Sequence, residues 1–177
     1  PVVALSFHQD VLIEKPIGPD QVDSEIERLN AALDATRAQI LDIEQQVDSV
    51  LGQEHARIFQ AHRLVVDDPQ LINEVVQGIR EEGRNAEVVL SDVADKYADV
   101  LKGMGDVYLR ERGADILDVK HRILRNLDGG SRASLSELTL NCVVTANDLP
   151  PSEAACLDKE HVVGIATEVG SHTSHTA

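Results

Sequence analysis

The sequence predicts an α+β multidomain protein in which a helical bundle is inserted in a partial α/β domain. Two observations lead to this prediction. Strand-like segments lie near both ends of the 177-residue chain, while helix-like segments with apolar residues at steps of three and four fill its middle. The composition also changes after Gly130, where a linker-like run begins. The rival prediction is two domains in series.

The first segment, residues 1–19, is expected to supply the first strand of the α/β domain. Its apolar and β-branched run from Val2 to Ile13 has no turn residues and suits one strand or two short strands. Gly18 and Pro19 then end the extended stretch, and Asp20 can cap a helix directly after them.

Residues 20–130 are predicted to form five helices joined by short loops, which is typical of a helical bundle. The first helix carries one stripe of apolar or small residues: Val22, Ile26, Leu29, Leu33, Thr36, Ile40, Ile43, Val47 and Val50. The second helix is expected over residues 53–66, and Asp68 with Pro69 marks the start of the third, which stops near Gly83. Asn85 can cap the fourth helix, and the fifth runs from about Asp106 to Leu127.

Residues 131–177 are predicted to form the second, truncated segment of the α/β domain. A strand is expected over residues 140–146, a short helix over 151–157 and another strand over 162–167, and a loop follows. Cys142 and Cys156 form neither a disulfide framework nor a zinc-ligand pair, so we expect reduced thiols.

The charge and composition exclude some classes of partner. The net charge is -15 and only 2% of the residues are aromatic, which argues against nucleic-acid binding. No apolar run approaches the roughly 20 residues of a membrane span, and the first residues lack the features of a signal peptide, so we expect a cytoplasmic protein without membrane insertion. The chain starts without an initiator Met, and we expect it to be a fragment.

The chemistry-bearing residues are concentrated in residues 170–177, where His172 and His175 lie among hydroxyl residues after a predicted strand. A loop at the end of such a strand is where α/β sheets bind ligands. From the residues alone three alternatives stay open: a nucleophilic or phosphate-handling His, a metal site and a solvated loop. A metal site would need a third ligand, and none is close in sequence.

Four blocks resemble enzyme I of the bacterial phosphoenolpyruvate:sugar phosphotransferase system. The run Gly-Ser-His-Thr-Ser-His-Thr-Ala at residues 170–177 is similar to the phosphohistidine signature of that family. Tyr-Leu-Arg-Glu-Arg at 108–112, Ile-Phe-Gln-Ala-His-Arg-Leu at 58–64 and Asp-Leu-Pro-Pro-Ser-Glu at 148–153 resemble further blocks, in the family's order. The chain therefore resembles the N-terminal part of a phosphoenolpyruvate-protein phosphotransferase.

The resemblance implies that His175 accepts a phosphoryl group from phosphoenolpyruvate and passes it to the carrier protein HPr, the first step of sugar uptake. It implies supporting roles in the phosphate loop for Gly170, His172, Thr173, Ser174 and Thr176, although His172 stands where many members have Arg. It also implies that phosphoenolpyruvate, Mg²⁺ and the homodimer contacts belong to a C-terminal barrel outside this chain. The chain alone should then contain no metal site and fail to react with phosphoenolpyruvate.

The resemblance also implies that the helical bundle receives HPr. HPr proteins present a basic face, which the 23 acidic against 13 basic residues between Asp20 and Asp128 would attract. The expected docking residues are the acidic Glu54, Asp67 and Asp68 and the anchors Ile58, His62, Val65, Leu71 and Tyr108. Each anchor could instead belong to the bundle core. Two alternatives remain: a non-catalytic helical interaction module, and part of a fused multiphosphoryl transfer protein.

Overall fold

The computed structural model describes residues 2–5, 12–129, 140–147, 149–158 and 160–168, with the backbone alone for 2–5. Internal contacts divide the chain into two compact units, one of residues 1–11 and 132–177 and the other of residues 12–131. The second unit contains five helices within its described residues: α1 (Val22–Leu51), α2 (Gln53–Val66), α3 (Pro69–Glu82), α4 (Ala86–Gly103) and α5 (Val107–Leu127). The first unit contains β1 (Val2–Leu5), β2 (Cys142–Ala146), α6 (Pro151–Ala155) and β3 (Val162–Thr167).

The predicted combination of a mostly helical chain and a small sheet is confirmed, while the insertion of one domain in another stays a prediction. The three described strands form one parallel sheet in the order β1-β2-β3. Within β2, Cys142, Val144 and Ala146 are buried and the residues between them are half-buried, as the period of a strand requires. No helix among the described residues is long and apolar enough to cross a membrane.

The core of the helical unit forms where the apolar stripe of α1 meets the other helices. Leu29, Leu33, Thr36, Ile40 and Ile43 are buried as predicted, whereas Val50 near the end of α1 is 65% exposed. The predicted cap of α1 by Asp20 is wrong, because the helix begins after Gln21 and no side chain of the described residues caps it. The Gln21 side chain instead accepts a hydrogen bond from the backbone of Gly18.

The starts of α3 and α5 follow the local capping signals. Asp68 Oδ1 accepts from the backbone N–H groups of Gln70 and Leu71, and Asp106 caps α5 in the same way. At the start of α4, in contrast, the Asn85 side chain makes no cap bond to a described residue of its own helix. Its Oδ1 accepts from the backbone N–H of Lys15 at 2.9 Å, so Asn85 holds the incoming chain segment rather than the helix.

Residues 12–19 lie against the helical unit, which puts the boundary between the units earlier than the predicted residue 19. Pro16 and Arg84 form an antiparallel bridge, and the backbone N–H of Ile17 donates to the Gly83 carbonyl at 2.7 Å. These backbone bonds tie the segment to the α3–α4 connection, a pairing for which the apolar run of the sequence gives no signal.

A half-buried arginine joins three helices at one end of the bundle. Arg28 of α1 donates to Glu25 at 2.6 Å, to Glu87 of α4 at 2.8 Å and to the Leu127 carbonyl at the end of α5 at 3.1 Å. Glu25 in turn accepts from the backbone N–H of Ala86 at 2.6 Å and thereby satisfies the first free donor of α4. We call Glu25, Arg28 and Glu87 the Arg28 cluster.

The contacts within the Arg28 cluster shift the pKa of each member so that its charged form is favoured. Burial acts to raise the pKa of Glu25 and of Glu87, but hydrogen bonds from Arg28 and from backbone N–H groups outweigh it and lower both pKa values. The same two carboxylates raise the pKa of Arg28. The cluster is therefore fully charged near neutral pH, and its charges are compensated inside the structure.

The helices α3 and α4 approach each other closely at Gly78. A Cβ atom at this position would lie 2.6 Å from Cγ1 of Val89, which is a buried side chain of α4. Gly103, at the end of α4, has open space around the corresponding position. The two glycines thus provide a matched pair for testing close packing.

We expect Gly78→Ala to lower the free energy of unfolding by about 1 to 2 kcal/mol, because overpacking costs about 1–3 kcal/mol and exceeds the gain in helix propensity of about 1 kcal/mol. Gly103→Ala should leave stability unchanged or raise it slightly. Urea denaturation followed by circular dichroism measures both changes. Equal stabilities for the two variants would contradict the close approach at Gly78.

We expect Glu25→Gln to destabilise the protein by about 1 to 2 kcal/mol, because it removes a charged partner of Arg28. Since the folded-state pKa of Glu25 is lowered, its contribution is complete above the ordinary value of 4.5 and is lost as the pH falls below it. Urea denaturation between about pH 3 and 7 should show that the variant loses less stability in acid than the unmodified protein does. Glu27→Gln, at an exposed position of the same helix, is the control. It should change neither the free energy of unfolding nor its dependence on pH.

Candidate functional site

The carboxyl ends of the three described strands meet at one edge of the sheet. Leu5 at the end of β1 pairs with Ala146 at the end of β2, and Ala146 pairs with Thr167 at the end of β3. Glu168 follows directly, and its backbone N–H donates to the Ala146 carbonyl while its side chain accepts from Asn147 at 2.7 Å. In parallel sheets this edge is where loops bind ligands.

The predicted phosphate loop follows Glu168 in the sequence but lies outside the described residues. This applies to all six of its predicted residues: Gly170, His172, Thr173, Ser174, His175 and Thr176. Their roles therefore stay predictions. What the structure establishes is the framework that precedes them, a parallel strand that ends at the edge shared with β1 and β2.

Another histidine of this unit lies at the opposite end of β3. His161 precedes the strand, and its Nδ1 lies 2.7 Å from Oδ2 of Asp158. The hydrogen bond to His161 lowers the pKa of Asp158. A strand of six residues separates this pair from Glu168, so it belongs to the turn before β3 and not to the carboxyl edge.

The predicted docking residues of the helical unit occupy different environments. Glu54 and Asp67 are exposed, and Asp67 accepts from Arg37 of α1 at 2.7 Å. Ile58 and Val65 are half-buried, and Val65 packs against the apolar cluster that α4 and α5 form. Asp68 is half-buried because its side chain caps α3.

Two of the predicted docking anchors are buried, which is the core alternative that the sequence left open for every anchor. His62 is 1% exposed and Leu71 is 5% exposed, so neither side chain presents a surface to a partner in this conformation. The physical reason is the side of α2 and of α3 that is turned towards the core. Both residues lie on the inward side of their helices, together with Phe59 and Val75, and the helical period alone does not reveal that side for an amphipathic residue such as His.

An exposed apolar patch lies where α4 ends and α5 begins. It consists of Val100, Met104, Val107 and Tyr108, which are between 44% and 60% exposed. We call these four residues the α4–α5 patch. On another helix, α2, the apolar side chain of Leu64 is 75% exposed. Exposed apolar residues that cluster are typical of protein interaction sites.

Tyr108 of this patch is held by a charged neighbour on its own helix. Arg112 donates to the Tyr108 hydroxyl at 2.8 Å and to Asp115 at 3.1 Å, and its guanidinium lies 4.7 Å from the centre of the Tyr108 ring. Partial burial acts to lower the pKa of Arg112, but the Tyr108 hydroxyl and the charge of Asp115 outweigh it and raise that pKa. The ring therefore has a defined position although it is 58% exposed.

Of these exposed residues and their neighbour Arg112, the sequence analysis named only Tyr108 as a docking residue and did not name Leu64, Val100, Met104, Val107 or Arg112. A local signal existed for some of them, because Val100, Met104 and Val107 flank the Gly-rich connection between two predicted helices. Their exposure could not be inferred, since apolar residues in helices usually face the core. Within the described residues no group of three or more His, Cys, Asp or Glu side chains could hold a metal ion.

Comparisons with known proteins give a consistent result. The family model of the N-terminal region of PEP-utilising enzymes matches residues 1–112. A phosphoenolpyruvate-protein phosphotransferase of Staphylococcus aureus is 36% identical over 98% of this chain and 30% of its own length. One from Geobacillus stearothermophilus is 39% identical over 95% of this chain and 29% of its own length. The chain thus spans less than a third of the length of these curated relatives.

Two solved structures have a similar fold. An NMR solution structure of Enzyme I is 37% identical, with a TM-score of 0.78 over 96% of this chain and 68% of that one. An N-terminal domain of Enzyme 1 - Nitrogen has a TM-score of 0.73 over 97% of this chain and 70% of that one, at 21% identity. The second likeness concerns the fold alone.

Proposed function

The chain belongs to the enzyme I family of PEP-utilising enzymes, and we propose that it takes part in phosphoryl transfer from phosphoenolpyruvate, through a phosphohistidine, to the carrier protein HPr. The observation that carries the proposal is the Thr-Ser-His-Thr run at 173–176, which follows β3 in the sequence. The carboxyl edge of a parallel sheet is a suitable origin for such a loop. The relatives named phosphoenolpyruvate-protein phosphotransferase support the same assignment.

In this proposal His175 is the nucleophile. The lone pair of its Nε2 attacks the phosphorus of phosphoenolpyruvate, the bond to the enol oxygen breaks, and the enolate of pyruvate leaves. A proton from solvent on the methylene carbon then gives pyruvate. The phosphoryl group then passes from Nε2 to a histidine nitrogen of HPr, which regenerates the neutral imidazole. An imidazole suits both steps because it is uncharged and nucleophilic near neutral pH, and its phosphoramidate transfers readily.

The neighbouring residues would position the transferred group. The hydroxyls of Thr173, Ser174 and Thr176 and the backbone at Gly170 can donate hydrogen bonds to phosphoryl oxygens, and His172 can add a further donor. Phosphoryl transfer depends mainly on such positioning and on neutralisation of charge. We propose that Mg²⁺, phosphoenolpyruvate and the homodimer contacts involve parts of the protein other than the residues described, and that it acts in the cytoplasm.

We further propose that the helical unit docks HPr on the α4–α5 patch and Leu64. The patch offers apolar area for the centre of an interface, and Glu54, Asp67 and Asp68 supply acidic groups that would attract a basic partner. Burial removes His62 and Leu71 from the contact surface, so the proposed interface is smaller on α2 and on α3 than the sequence predicted.

Replacing His175 by Ala separates phosphoryl transfer from docking. We expect His175→Ala to abolish phosphoryl exchange with phosphorylated HPr but to leave the affinity for HPr within about twofold, because the substitution removes only the nucleophile. Mass spectrometry in alkaline solution detects phosphohistidine, and calorimetry measures the affinity. Transfer that persists in the variant would assign the chemistry to another residue, and the absence of both transfer and binding in the unmodified protein would contradict the whole proposal.

Removing an apolar side chain from the surface tests the docking site. We expect Leu64→Ser to weaken HPr binding by about tenfold, since a central apolar contact is worth about 1–2 kcal/mol, without any change of charge. Calorimetric titration with HPr measures the affinity, and thermal unfolding checks that stability is unchanged. Leu41→Ser, at an exposed leucine of α1, is the matched control. Equal affinities for the two variants would show that HPr binds elsewhere.

A further inference from the structure

A histidine lies buried in the helical unit without the hydrogen bonds that such a group normally makes. Neither ring nitrogen of His62 has a hydrogen-bond partner among the described residues, although the side chain is 1% exposed. Its Nε2 lies 3.4 Å from Oδ1 of Asp115 and 3.9 Å from Oδ2 of Asp118, and the ring packs edge-on against Phe59. Buried polar groups without partners are rare and costly, so this arrangement calls for an explanation.

The carboxylate beside His62 also belongs to the contacts that hold the surface. Oδ1 of Asp115 faces His62, while Oδ2 accepts from Arg112 at 3.1 Å. Arg112 in turn donates to the hydroxyl of Tyr108. Four side chains therefore form a continuous series from the buried ring to the exposed one: His62, Asp115, Arg112 and Tyr108.

We propose that His62 is a positioning residue whose protonation, acting through Asp115 and Arg112, sets the orientation of the Tyr108 ring on the α4–α5 patch. When His62 is neutral, Asp115 is available to Arg112, and Arg112 holds Tyr108. When His62 takes up a proton from solvent, its Nε2 becomes a charged donor and draws Asp115 towards itself. The pair between Asp115 and Arg112 then weakens, and the Tyr108 ring loses part of its support.

The charged groups around His62 favour this response. The two carboxylates that face the ring, Asp115 and Asp118, both come from α5. Among the described charges of other helices, Glu44 of α1 is paired with Arg63, and Asp95 of α4 is paired with Lys120. Asp115 is therefore the group that both cations, His62 and Arg112, share.

The chain offers a direct test because it contains two tyrosines. With carbon-13 in the His and Tyr rings, NMR spectra recorded over a series of pH values follow the His62 and Tyr108 rings together. We expect the ring signals of Tyr108 to shift with the same midpoint as those of His62. Tyr97, whose hydroxyl donates to Glu74 at 3.0 Å, is the internal control and should not follow that midpoint.

Two variants distinguish a relay through these contacts from a general effect of pH. His62→Gln should abolish the Tyr108 shift. Arg112→Lys should retain the titration of His62 but remove the response of Tyr108, because an ammonium lacks the fork that bridges Asp115 and the hydroxyl. If His62→Gln does not fold, Arg112→Lys decides alone. A Tyr108 shift that survives in either folded variant, or the absence of a shared midpoint in the unmodified chain, would overturn the proposal.

The consequence for HPr rests on the proposed docking function. If Tyr108 contacts HPr, the affinity should fall as the pH decreases through the His62 midpoint, and Arg112→Lys should lose this part of the pH dependence. The NMR titration needs no partner, so the two proposals can fail separately. A coupled shift without HPr binding would contradict the docking function alone, and binding without a coupled shift would contradict the relay alone.

Discussion

The arrangement of the helical unit depends on one arginine that three helices share. Arg28 lies on α1, reaches Glu87 at the start of α4 and the Leu127 carbonyl at the end of α5, and keeps Glu25 in place to satisfy the Ala86 N–H. A half-buried guanidinium stabilises a structure only when its donors are satisfied, and here carboxylates and a carbonyl satisfy them. The cluster therefore fixes where α4 begins and α5 ends, and with it the direction of both helices.

Since α4 and α5 are consecutive and joined by a short connection, the end opposite the Arg28 cluster is the turn between them. This turn carries the α4–α5 patch. The unit thus has a charged, internally compensated end and an apolar, exposed end. His62 contacts α5 through Asp115, seven residues after Tyr108.

The features that the sequence predicted correctly are those that local chemistry decides. Asp68 caps α3 as predicted, because the partners of the cap lie two or three residues away. Asp106, which the sequence named only as the approximate start of the fifth helix, caps α5 in the same way. The same logic failed for Asn85, whose side chain binds Lys15, 70 residues away along the chain. The burial of His62 and Leu71 was likewise not predictable, because it depends on which helix packs against which face. For residues 170–177, the residues alone left a phosphate-handling His as one of three alternatives, and the resemblance favoured it; the assignment stays a prediction, because these residues lie outside the described part of the chain.

The pairing of β1 with β2 has a consequence for how the chain folds. Val2 pairs with Val143, so the first strand finds its neighbour only across almost the entire helical unit. Loop-closure entropy grows slowly with length, and this separation therefore costs little at equilibrium. Its effect on rate is larger, because non-local parallel pairing is slow whereas helical bundles form from local contacts. During synthesis the strand is made first and must wait for its partner, while the helices between them can fold as they emerge.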